Sequence, residues 1–213
     1  MSKILVLGAA GQVAQPVIQD LLAAKQHELV LYLRNAERLA ALKTNPHVTI
    51  IEGDVLDQAR LTAALKGIDI VYANLGGEFE PLMKTVVKAM TATGVKRLIY
   101  ISGLEVFIMK CRENLVRGMN VLWVTMSWKI RAEQQAVVEQ SPLDYTILRC
   151  AYMTDEPIVD YELTEKGTPF KGTIISRQSI AKVVVDLIDQ PTLGIRASWG
   201  INQPNTDGDR PVY

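Results

Sequence analysis

The sequence predicts an α/β fold built as a doubly wound parallel sheet, and three observations carry that prediction. Short β-branched apolar runs alternate with longer stretches of helical period along the 213 residues. Most of the short runs are continuously apolar rather than alternating, as strands covered by helices on both faces must be. A glycine-punctuated turn joins the first apolar run to the first helical stretch. No internal repeat, low-complexity tract or Ser/Gly linker divides the chain, so one domain is expected over residues 1–213.

The elements follow in order. Ile4-Leu5-Val6-Leu7 marks a first strand over 3–7, and a helix is expected over 12–24. A second strand spans 28–33, a short helix lies around 36–42, and a third strand covers 48–52. A helix over 58–65 stops before Gly67 and leads into a fourth strand over 68–73. The next helix, 80–93, ends at Gly94 and precedes a fifth strand over 96–102. Beyond it come a helix over 130–139, a sixth strand over 144–148, a helix over 179–189 stopped by Gln190-Pro191, and a later strand near 197–201. Residues 202–209 read as loop.

Residues 104–127 are the least legible, because Val106, Phe107, Ile108, Met109, Val121, Leu122, Trp123 and Val124 are split by a charged stretch over 110–117. In a doubly wound sheet the loop after the fifth strand faces the ligand. This places the segment on the substrate side, with an ordinary packed helix pair as the alternative.

Bulk composition narrows the function classes. The 23 basic and 23 acidic side chains cancel, so no global field draws nucleic acid or an anionic membrane surface. No apolar run approaches the roughly 20 residues of a membrane span, and the N-terminal run is too short for a signal peptide. The two cysteines, Cys111 and Cys150, have neither metal-ligand spacing nor the density of a disulfide scaffold, which fits a reducing cytoplasm. His27 and His47 stand apart from each other and from cysteine, so no metal is expected.

The turn Gly8-Ala9-Ala10-Gly11-Gln12-Val13-Ala14 spaces its small residues as Gly-x-x-Gly-x-x-Ala. Between a first strand and a first helix, such residues allow a tight turn and close approach of a pyrophosphate to free N–H groups at the positive end of the helix. This is the Rossmann-type arrangement, a three-layer sandwich that binds a dinucleotide, with the anion expected at residues 11–13. The end of the second strand selects which dinucleotide, because a carboxylate there accepts from the ribose 2′-OH of NAD, whereas arginine accommodates the 2′-phosphate of NADP. The strand ends Leu31-Tyr32-Leu33-Arg34-Asn35, without a carboxylate, which favours NADP(H) over NAD(H). A solvated surface charge is the plainer reading of Arg34.

Gly8 to Ala14, Arg34-Asn35, Gly53-Asp54-Val55, and Leu148-Arg149 followed by Cys150-Ala151 together resemble the atypical short-chain dehydrogenase/reductases, particularly their NmrA-like and biliverdin-reductase-B-like branch. The similarity runs nearly the whole chain, through Ser176-Arg177-Gln178-Ser179-Ile180-Ala181, which looks like that branch's late helix start. The resemblance implies a cofactor site made by Gly8, Ala10, Gly11, Gln12, Val13, Arg34 and Asn35. Asp54 and Val55 would lie by the adenine, and Ala73, Asn74, Leu75 and Gly76 by the adenosine ribose and inner pyrophosphate. Cys150 and Ala151 would stand near the nicotinamide carboxamide. The plainer reading of Asp54 is a helix or turn cap. Active family members use Ser, Tyr and a Lys four residues after the Tyr. Ser102 and Lys129 match the serine and lysine, and both would also touch the cofactor, which puts Thr125 at the tyrosine position. A threonine hydroxyl is far less acidic than a phenol of pKa about 10 and supplies no proton donor near neutral pH. Lys129 retains the reach to hold the nicotinamide ribose hydroxyls. Tyr152 and Tyr161, after the sixth strand, are substitute donors or pocket walls, Trp123 and Trp128 are pocket or core, and Cys150 is a packing residue rather than a nucleophile.

Three functions follow from the resemblance. The first is reduction of a small carbonyl or conjugated substrate by NADPH, with the proton coming from water, Ser102 or a substitute tyrosine. The second is a non-catalytic regulatory module of NmrA-like type that senses NADP(H), favoured by the missing tyrosine, with 104–127 as the partner surface. An NAD(P)-dependent epimerase or isomerase is the third. A homodimer is a further expectation, from base rates alone.

Overall fold

The computed structural model describes residues 1–76, 79–103, 135–168 and 171–208. In chain order these form β1 (Lys3–Leu7), α1 (Ala14–Ala24), β2 (Glu28–Leu33), a 3-10 turn over Ala36–Leu42, β3 (Val48–Glu52), α2 (Gln58–Ala64), β4 (Ile70–Ala73) and α3 (Phe79–Thr93). They continue with β5 (Arg97–Gly103), a helical stretch over 135–139, β6 (Asp144–Cys150), β7 (Tyr152–Thr154), β8 (Glu162–Glu165), β9 (Ile174–Ser176), α4 (Arg177–Asp189) and β10 (Ala197–Asn202). Thr125, Lys129 and the whole of 104–127 lie outside the described residues.

An eight-stranded sheet runs in the order β3-β2-β1-β4-β5-β6-β10-β8, parallel throughout except for the antiparallel β8, while β7 and β9 pair with each other in parallel. Alternate strand residues point to opposite faces. One set, including Ile4, Val6, Leu31, Ile99 and Leu148, packs with Val17, Leu21, Val184 and Leu187 of α1 and α4. The other, including Leu5, Leu7, Val71, Leu98 and Ile147, packs with Leu61, Met83, Val86 and Met90 of α2 and α3. Both faces are buried, which is why the strands read as unbroken apolar runs. The expected doubly wound, three-layer α/β architecture is therefore the one observed.

Several boundaries differ from the sequence expectation for local reasons. The helix expected from Gln12 starts at Ala14, because Gly11 first closes a tight turn in which the Ala14 and Gln15 amides donate to its carbonyl. Pro16 is tolerated in the first helical turn, where its missing N–H has no intrahelical acceptor to lose. The fourth strand starts at Ile70 rather than 68, since the Ile68 amide turns back to the Leu65 carbonyl. The last helix begins two residues earlier than expected, capped by the Ser176 hydroxyl, which accepts from the Ser179 amide at 2.9 Å. The segment at 36–42 is 3-10, with Leu39 off helical geometry. β7, β8 and β9 were not expected.

Among the described residues several buried polar atoms lack a partner, and one of them lies in the core. Tyr72 on β4 is completely buried, and its phenol, pushed well above its ordinary pKa by desolvation, has no hydrogen-bond partner. An orphaned buried hydroxyl costs about 1–3 kcal/mol. Tyr72→Phe is therefore expected to raise stability by about 1 kcal/mol in urea unfolding.

Candidate cofactor site

The strand order reverses between β1 and β4, since β1, β2 and β3 run outward one way and β4, β5 and β6 the other. The crevice at the carboxyl ends of those two strands is where an open α/β sheet takes its ligand. It is lined on one side by the Gly8–Val13 turn and on the other by Asn74, whose amide continues the sheet by donating to the Leu7 carbonyl at 3.0 Å. Gly8 has φ +72°, and its amide donates to the Tyr32 carbonyl at 3.0 Å. A Cβ on Gly8 would collide with the Asn74 carbonyl oxygen, and one on Gly11 with the Asn74 side-chain amide. Gly8 is thus required for the 74–76 segment to close against the turn, whereas at Gly11 the Asn74 side chain would have to move aside. Gln15 tightens it further, its side-chain amide donating to the Ala9 carbonyl at 2.7 Å. Among the described residues, no acceptor meets the backbone amides of Gln12 and Val13. These two N–H groups stand at the start of the 11-residue α1, where the helix dipole is positive.

At the end of β2, Arg34 and Asn35 are exposed. The Asn35 side chain accepts from the Glu37 amide at 3.2 Å and Glu52 on β3 from the Ala36 amide at 2.8 Å, so both are occupied as caps of the 3-10 turn. That turn brings round Arg38, whose Nη2 donates to the Ala10 carbonyl in the glycine turn at 3.1 Å. The Arg38 guanidinium therefore lies against the glycine turn at this end of the crevice. The Asp54 carboxylate accepts from the Leu56 amide at 2.9 Å, which is the turn-cap arrangement. Its carbonyl accepts from the buried Tyr32 phenol at 2.9 Å, whose pKa is raised by burial first and by the nearby Asp57 next. Val55 is buried beside this turn and Ala73 at the end of β4, while Leu75 is half-buried and Gly76 exposed.

On the far side of the crevice Ser102 stands one residue before the end of β5, beside Arg149 of β6. Ser102 is only 3% exposed, and its oxygen accepts from the side-chain amide of Gln135 at 3.1 Å. Among the described residues, its own proton meets no acceptor. Gln135, also buried, was not expected to take part. Cys150 and Ala151 are buried in the core shared with α1 and α4, and desolvation drives the Cys150 thiol far above its usual pKa, so it is a packing group and no nucleophile. Tyr152 is exposed at the start of β7, whereas Tyr161 is half-buried against the same core. Among the described residues no group of three His, Cys, Asp or Glu side chains could hold a metal ion.

The two backbone amides at the start of α1, which meet no acceptor among the described residues, are donors of the kind a phosphate takes. The comparisons agree. Residues 8–191 match the model of a family described as NAD(P)H-binding. The chain is 40% identical to a Rossmann-fold NAD(P)-binding family protein from Shigella flexneri, covering 100% of this chain and 99% of that one, with a TM-score of 0.84. A wide-type short-chain dehydrogenase/reductase from Veillonella parvula, solved in complex with NADP, is 27% identical at TM-score 0.86, covering 100% and 99%. An uncharacterized sugar epimerase, YhfK of Bacillus subtilis, is 24% identical over 221 residues, covering 99% of this chain and 96% of that protein.

Proposed function

Because this chain belongs to the NAD(P)H-binding family, we propose that it is an NADP(H)-dependent reductase of a small carbonyl or conjugated substrate. The observation that carries the cofactor choice is Arg34 at the end of β2 with Arg38 on the turn that follows, while the neighbouring carboxylates are occupied, Glu52 by a backbone amide and Glu37 by Lys43. In this reading the Gln12 and Val13 amides hold the pyrophosphate and the two guanidinium groups hold the 2′-phosphate. Asp54, Val55 and the 73–76 segment line the adenosine, and Cys150 and Ala151 form the floor near the carboxamide. When bound, the nicotinamide supplies a hydride from its C4.

Lys129 holds the ribose hydroxyls, and Ser102, oriented by Gln135, donates its hydroxyl proton as a hydrogen bond to the substrate oxygen. Thr125 cannot act as the acid, so the proton delivered to product comes from water or from the exposed Tyr152. The missing tyrosine also favours a second reading, a regulatory module that binds the dinucleotide without turning over. The similarity to YhfK, a sugar epimerase by name, keeps an epimerase as a third.

Calorimetric titration with NADPH, NADP, NADH and NAD at one salt concentration tests the cofactor. Tight binding of the phosphorylated pair is expected. Replacing both Arg34 and Arg38 with alanine should weaken NADPH roughly 100-fold, the loss of two charge-assisted contacts, and leave NADH within a few-fold. Equal losses for both would sink the assignment. Ser102→Ala should lower turnover of a carbonyl substrate about tenfold or more with NADPH affinity retained. NADPH binding without consumption across a substrate panel, together with dinucleotide-dependent capture of a partner, would move the regulatory reading to the front.

A further inference from the structure

Arg177 opens α4 and reaches two separate loops. Its Nη2 donates to Oε1 of Gln12, 165 residues away in the glycine turn, at 3.2 Å. Its Nη1 meets Oδ1 of Asp155 at 2.7 Å. The arginine side chain is 17% exposed while that of Asp155 is 82% exposed, so the guanidinium has been drawn under the surface and the carboxylate has not. Among the described residues its Nε is buried without an acceptor. Every polar contact it does make goes to a loop.

The stretch after Asp155 is itself pinned to α4. The Ser176 hydroxyl donates to the Ile158 carbonyl, and the Ser179 hydroxyl accepts from the Asp160 amide at 3.1 Å and lies 2.9 Å from the Asp160 carbonyl. Asp155 therefore leads into a strap held against the helix that carries Arg177, and α4 in turn packs on α1. The guanidinium has a rigid frame on one side and the glycine turn on the other. Gln12 is exposed and belongs to the turn whose own Gln12 and Val13 amides lack acceptors.

We propose that Arg177 is a positioning residue for the dinucleotide's pyrophosphate, acting through Gln12 and set in place by Asp155. By gripping the Gln12 side chain it fixes the glycine turn so that the two amides face the crevice, and ties that turn to the strap that follows β7. The inference rests on the dinucleotide reading above. Because a pyrophosphate is common to NADPH and NADH, the effect of Arg177 is blind to the 2′-phosphate, unlike that of Arg34 and Arg38.

The test is calorimetric titration of the full chain with NADPH, NADH and adenosine 2′-monophosphate, which has no pyrophosphate, alongside thermal unfolding without ligand. Arg177→Gln should weaken NADPH and NADH by the same factor, about tenfold or 1.4 kcal/mol, and leave adenosine 2′-monophosphate unchanged. Gln12→Ala should give the same loss, and the double variant no more than either single one, as for two residues of one contact. Arg177→Lys, which keeps the charge but not the fork, should fall between and serves if Arg177→Gln does not fold. A loss confined to NADPH, additive losses, or a lowered unfolding temperature with unchanged affinities would each overturn the proposal. A wild-type protein that binds neither dinucleotide would overturn the cofactor reading itself, and Arg177's role with it.

Discussion

Gly8→Ala is expected to lose at least 100-fold in NADPH affinity and about 3 kcal/mol of stability. Two penalties combine. A φ of +72° costs an alanine about 1–2 kcal/mol, and a Cβ driven into the Asn74 carbonyl adds an overpacking cost of about 1–3 kcal/mol, because the obstacle is backbone held to Leu7 and not a side chain free to swing away. Relieving the collision moves the 74–76 segment off the turn and with it the crevice wall, which is why binding falls as well. Gly67 supplies the control. Its φ is also +72°, but a Cβ there would meet nothing within 4 Å. Gly67→Ala should cost only the backbone term and leave NADPH binding intact. Urea unfolding and calorimetry on both variants separate strain from collision, and equal stability losses would contradict the account.

The second large effect lies at the opposite end of the sheet. Arg97 begins β5 and is buried, with Nη1 donating to the Asp144 carbonyl at 3.0 Å and to the Thr146 hydroxyl at 2.8 Å, and Nη2 to the Leu193 carbonyl at 2.9 Å. Thr146 in turn donates to the Gly194 carbonyl at 2.6 Å. The group stitches the start of two strands to the turn after α4. Burial pushes its pKa down to about 10, so it is still cationic at neutral pH. Because the folded pKa is depressed below the unfolded one, this residue's contribution to stability rises with pH above about 10 and is least favourable below that. Arg97→Ala leaves two carbonyls and a hydroxyl without their donor and is expected to destabilise by about 4 kcal/mol. The folded fraction should still bind NADPH with unchanged affinity, since nothing at the carboxyl ends of the strands is touched. A weakened affinity would show that the two ends of the sheet are coupled.

The expected bounds of β1, β2 and β3 match the observed ones: β1 and β2 are almost wholly buried, so apolar content marks them, while the half-exposed β3, at the sheet's border, is marked by its β-branched run and its bounding turns. β7, β8 and β9 are three or four residues long, and β7 and β9 exist only through each other. A period of two has no room to show in such segments. The glycine turn was legible for a similar reason to the long strands, since its chemistry is local. Arg38 was missed although it stands four residues after Arg34, on the turn that follows β2. That spacing is a usable signal once the turn is known to fold back over Ala10. The Gln135 contact with Ser102 and the Arg177 contact with Gln12 are long-range pairings with no local pattern, and only the assembled sheet brings them together.

The antiparallel β8 has a consequence for the chain as a population of molecules. A sheet ending at β10 would offer neighbouring molecules a row of unpaired N–H and C=O groups, the template on which strands accrete. Instead the border is a four-residue strand carrying Glu162 and Glu165. Both acids are tied inward, Glu165 accepting from the Trp199 indole at 2.8 Å and Glu162 from the Asn202 side chain at 2.7 Å. Short length, reversed direction and anchored negative charge make this border a poor seed for intermolecular sheet growth, and shedding it would leave the β10 border open to colonisation.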